Sequence, residues 1–219
     1  MTSQATVGSV RVRPGQHAAA VSDLRLPGLF FFLLGAGFLI VTMLAASIAP
    51  DYDFRGGAIS DLGVIAETAL LFNSLLVVMG VLNIVGGYLF YRSHRRLWLL
   101  GMYVIAGVGT IGAGLFPLDT GGVHSIFALV AFLVYNVEGL GTAIVLAGPT
   151  RALGFIAGAV GLIYTILMVI GDSGNTAVFG PYGHGGSERM MAYPLMLWLI
   201  ALGGYLMAGR SPDEAPSAR

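Results

Sequence analysis

Six long apolar runs, at roughly Leu26–Ala49, Glu67–Tyr91, Leu97–Phe116, Val123–Ala147, Ala152–Ile170 and Met190–Ala208, leave this chain few ways to fold. Each approaches the ~20 mostly apolar residues that cross a bilayer as a helix. A membrane strand is about 10 residues long and alternates in polarity, which these continuous runs do not. Amides inside lipid must be satisfied within their own segment, so helices are expected. The chain has 219 residues, 56% hydrophobic and only 10% charged, with a mean hydropathy of +0.83. That composition excludes an ordinary soluble domain of this size. The expected fold class is all-α, a polytopic bundle of six transmembrane helices over 26–209, with polar disordered tails at 1–25 and 210–219. The run after Arg25 is longer than a signal-peptide core and leads straight into acidic residues, so the first span is expected to be retained.

The charges between the runs are segregated by sign. Arg92, Arg95, Arg96 and Arg151 occupy one set of connections, whereas Asp51, Asp53, Asp61, Glu67, Asp119, Asp172 and Glu188 occupy the alternate set with His124 and His184. Short arginine-rich loops stay in the cytoplasm, which predicts that both termini are cytoplasmic and the acidic end is outside. The formal net charge is zero, so nothing points to a nucleic-acid partner. The chain has no cysteine, which removes disulfides, thiolate nucleophiles and sulfur-ligated metals.

Ionisable groups inside a membrane are costly, and Glu138 is the one placed deep in a span. His124, Ala128, Ala131, Tyr135 and Glu138 recur at steps of four and three, which sets them on one stripe of the fourth helix. The rise of an α-helix puts Glu138 ~21 Å inward from His124. Asn83 on the second span should reach the same depth, and Asn73 lies nearer the outer end. One reading is a polar path or amphiphile cavity opening near His124. The other is that Glu138 is hydrogen-bonded across the bundle and simply holds helices together. Glycines such as Gly107, Gly109, Gly112, Gly154 and Gly158 are expected to serve close helix packing.

At the outer helix ends, Asp61, Glu67, His124, Glu188 and Arg189 are candidates to line the mouth of such a cavity, with Arg189 able to pair with a lipid phosphate or a neighbouring acid. Glu67 and Glu188 also suit the first turn of a helix, where the dipole favours a carboxylate. His124 and His184 with nearby carboxylates could hold zinc, although no His-Glu-x-x-His spacing is present. Gly171-Asp172-Ser173-Gly174 matches the nucleophile tetrapeptide of trypsin-like proteases, but it ends a membrane helix in an all-helical chain. The glycine-rich stretch from Asp172 to Ser187 suits either a mobile lid or a solvated loop.

Ile59-Ser60-Asp61-Leu62-Gly63 followed by Glu67 and Leu71-Phe72-Asn73 resembles the six-span bacterial and archaeal family called domain of unknown function 998. Phe116-Pro117 with His124-Ser125, and Glu188-Arg189-Met190 with Tyr193-Pro194, resemble it too. The Ser-Asp-x-Gly then Glu pattern is also similar to the Frag, DRAM and Sfk group, which is associated with lipid remodelling and lipid asymmetry. Leu62 and Ala66 depart from the threonine and proline usual there. The resemblance implies a six-span protein of a prokaryotic plasma membrane. The expected partner is membrane lipid or a lipid-like small molecule held between the helices. The alternatives are a membrane-embedded hydrolase, with metal assistance or without, and an accessory subunit of a membrane complex.

Overall fold

The computed structural model describes residues 14–209, with side chains from Leu24 onward. Of the expected tails, 1–25 and 210–219, residues 1–13 and 210–219 lie outside the described residues. Six helices account for the fold, and no strand occurs among the described residues. They are α1 (Pro14–Ile48), α2 (Ala69–His94), α3 (Leu97–Leu115), α4 (Gly122–Ile144), α5 (Gly148–Asp172) and α6 (Gly183–Met207). All six are long and apolar enough to cross a membrane, so the protein is a multi-pass membrane protein. The backbone of α1 is helical from Pro14, inside the stretch expected as a polar tail. Proline suits the first turn of a helix, where no amide bond is lost.

The helices form a closed ring. Each packs against the next in the chain, α1 closes onto α6, and α4 also touches α6 across the interior. At the closing seam a Cβ on Gly28 would lie 2.9 Å from the Gly203 carbonyl, and one on Gly203 would lie 2.6 Å from the Gly28 carbonyl. Only glycine at both positions lets these backbones approach so closely. The small residues expected to serve packing do so: Gly154 lies against Trp198, Gly158 against Leu140, and Gly112 against Phe127.

The two ends of the ring differ. At the arginine end the connections are the short links Arg95–Arg96 and Val145–Ala147, which make their helices antiparallel neighbours. There Phe31, Phe90 and Tyr103 fill the interior, with Phe31 stacked on Tyr103 at 5.6 Å and edge-on to Phe90 at 5.8 Å. At the acidic end the connections coil into 3-10 turns, Ile59–Gly63, Leu118–Thr120 and Thr176–Tyr182. The glycine-rich stretch after Asp172 is therefore neither a free lid nor a loose loop. Phe179 within it is buried against Met168 and Met191, and its ring meets His184 edge-on at 5.1 Å. The helix α6 starts at Gly183, well before the expected Met190, and runs unbroken through Pro194. Glu188 and Arg189, expected in the first turn and at the mouth of the sixth span, lie further inside α6, are buried, and find partners on the α1–α2 connection.

Candidate functional site

The helix α4 carries the site. Its N-terminus follows Gly121, and in the next turn His124 is 4% exposed, with Nδ1 bonded to the Phe116 carbonyl at 2.8 Å. A carbonyl only accepts, so Nδ1 carries a proton, and in the neutral ring Nε2 is an acceptor with no described partner. From His124 the stripe descends through Ala128 and Ala131 to Tyr135, ~16 Å deeper by helical rise.

Two cavities meet along this stripe. The outer one is a vestibule of about 630 Å³ between α4, α5, α6 and the turn Ile59–Gly63. Its polar lining includes Ser60, Asp61, His124, Thr165, His184 and Glu188, with Asp172 at the rim. The inner one is a slot of about 70 Å³, walled by Phe38, Phe72, Leu76, Met79, Leu195 and Met196. Ser60, His124, Ala128, Phe132, Glu188 and Met191 belong to both linings, so the slot adjoins the vestibule floor. The vestibule falls within the range of pockets that bury a small ligand, whereas the slot has room for a few waters or the end of a hydrocarbon chain. The Tyr135 hydroxyl, beside Thr110 in the slot wall, has no partner in hydrogen-bond geometry.

The acids of the vestibule are held by backbone amides. Asp61 Oδ2 accepts from the Ala58 amide at 2.8 Å and so caps its 3-10 turn, while Glu188 Oε2 accepts from the Ile59 amide across the bundle. His184 Nε2 meets Asp172 Oδ1 at 3.1 Å, an arrangement open to solvent. Among the described residues no three His, Asp or Glu side chains converge as a metal-holding group. Ser173 Oγ donates to the Ile170 carbonyl at 2.8 Å and does not pair with His184.

Arg189, 5% exposed, lines neither cavity. Its Nη1 donates to the carbonyls of Phe54 (3.0 Å), Gly57 (3.4 Å) and Gly185 (2.8 Å), and its Nη2 to the Tyr52 hydroxyl at 2.7 Å. The guanidinium also sits 3.8 Å from the centre of the Phe54 ring. Tyr52 in turn donates to the Ala58 carbonyl at 2.7 Å. Burial pushes the Tyr52 phenol above its ordinary pKa against the pull of Arg189, so it stays a hydroxyl at neutral pH. Gly185 must be glycine because a Cβ there would strike the Gly57 carbonyl. Arg189 thus staples the α1–α2 connection to α6.

Of the residues singled out in the sequence, Asp61, His124, His184 and Glu188 come together around the vestibule. Glu67 is exposed before α2 and lines neither cavity. Asn73 Nδ2 donates to the Gly63 carbonyl at 2.8 Å, a local brace outside both linings. Glu138, 2% exposed, lies past the slot floor, where Asn83 Nδ2 donates to its Oε2 at 2.8 Å and to the Tyr103 carbonyl at 3.0 Å. Thr165 and Met168 of α5 also line the vestibule, and nothing in their sequence context distinguishes them from other helix residues.

No curated protein and no solved structure matches the chain. The family model described as protein of unknown function (DUF998) matches residues 32–205, from within α1 to within α6 and across the whole site. The ring of six helices and the vestibule at its acidic end are thus features of a chain that belongs to the DUF998 family.

Proposed function

We propose that this membrane protein binds a lipid-like amphiphile in the cavity within its helix ring, reached from the acidic, extracytoplasmic end. The observation that carries the reading is the shared lining of the two spaces, which sets a polar vestibule directly above an apolar slot. A head group in the first and the end of a chain in the second would each meet a matching surface. The side of opening is supported by the arginines of the opposite connections and by the aromatic filling at that other end.

The test is native mass spectrometry of protein extracted in mild detergent, with an Ala128→Leu variant that fills the junction of the two spaces. The wild type should retain a bound amphiphile, and the variant should bind it on the order of tenfold more weakly while keeping its helical content. Equal retention by both, or no bound amphiphile in the wild type, would sink the proposal. One observation favours a membrane-embedded hydrolase as a second reading: the Phe116 carbonyl holds the proton of a neutral His124 on Nδ1 and turns Nε2 to the cavity, as a general base requires. Recovery of cleaved rather than intact amphiphile after incubation would select it.

A further inference from the structure

We infer that the head group taken by this cavity is a hydrogen-bond donor without negative charge, hydroxylated or ammonium in character, and that phosphate and carboxylate heads are disfavoured. The inference deepens the amphiphile reading above and rests on it. The ionisable side chains lining the vestibule are Asp61, Asp172, Glu188, His124 and His184, with no arginine among them. Asp61 and Glu188 each commit one described oxygen to a backbone amide and leave the other without a described partner. His124, nine-tenths buried and with Nδ1 donating to the Phe116 carbonyl, presents Nε2 of its neutral ring as an acceptor. The vestibule therefore offers an excess of acceptors and would leave them unpaired against a head that cannot donate.

An anionic head needs a cation, and Arg189 beside Glu188 is the residue expected to supply one. Its Nη1 and Nη2 are already spent on three carbonyls and the Tyr52 hydroxyl. Turning it toward the vestibule would give up all four of those bonds and its stacking on the Phe54 ring. An anion would then face Asp61 and Glu188 with no arginine or lysine beside it.

The experiment uses the full-length protein in phosphatidylcholine nanodiscs at neutral pH. Monoolein, oleylamine and oleyl sulfate serve as probes of equal chain length with hydroxyl, ammonium and anionic heads. Binding is read by native mass spectrometry and by the shift in unfolding temperature. Monoolein or oleylamine should bind at least about tenfold more tightly than oleyl sulfate, and whichever is tighter tells hydroxyl from ammonium recognition. Asp61→Asn and Glu188→Gln each keep an acceptor for their backbone amide and should each narrow that gap. Oleyl sulfate binding as tightly as the others, or a gap indifferent to both substitutions, overturns the head-group assignment and leaves the amphiphile reading standing. If none of the three binds, the amphiphile reading falls and takes this inference with it.

Discussion

Arg189 shows how a residue's partners decide its role. From sequence alone it reads as a partner for a lipid phosphate or a neighbouring acid at a helix mouth, yet it lies buried with carbonyls from two elements around its fork. Lysine has neither the planar fork nor the stacking face that Phe54 meets at 3.8 Å. Arg189→Met would leave the Phe54 carbonyl without its donor and remove the charged donor from the Gly57 and Gly185 carbonyls and the Tyr52 hydroxyl, and should cost about 2 kcal/mol. In detergent, the unfolding temperature of Arg189→Met should fall clearly, with Arg189→Lys between it and the wild type. A variant as stable as the wild type but weak toward an anionic amphiphile would restore the ligand role. Glu138 resolves differently. The expectation that Asn83 reaches its depth holds in the 2.8 Å bond between them, and that bond fits the reading of Glu138 as a brace between helices.

At the scale of elements, the spans were legible because an unbroken apolar run has few alternatives in lipid. Their ends were less so. The first turns of α6 are polar and glycine-rich, and only the staple to the α1–α2 connection, invisible in sequence, shows why they are helical and buried. The stripe on α4 was legible by its spacing down to Tyr135, while α5's share of the vestibule was not, because Thr165 and Met168 sit in an ordinary apolar helix. Leu129 of α4 and Val169 of α5 both line the vestibule and are 43% and 51% exposed. If that exposed surface faces lipid, the pair marks the seam through which an amphiphile would enter between α4 and α5. Leu129→Trp with Val169→Trp should slow exchange of a fluorescent amphiphile on the order of tenfold with little change at equilibrium, because a portal acts on rate. Stopped-flow exchange in nanodiscs measures this, and unchanged rates would place the way in at the acidic end alone.

For the whole molecule, ring closure and one-ended filling work together. The Gly28–Gly203 seam lets α1 meet α6, and the Phe31, Phe90 and Tyr103 group fills one end, so the space left inside is reached from the other. Which end faces outward is set by charge at insertion. Arg92, Arg95, Arg96 and Arg151 share one end, and the excess of arginine in these short loops should hold it in the cytoplasm. The lack of cysteine makes this readable with single reporters. Asn175 is exposed beside the 3-10 turn Thr176–Tyr182 at the acidic end, and Ser93 is exposed at the arginine end of α2. In intact cells a membrane-impermeant maleimide should label Asn175→Cys, and Ser93→Cys should react only after permeabilisation. The reverse pattern would turn the vestibule toward the cytoplasm. The cavity would keep its shape, but its amphiphile would have to come from the inner leaflet.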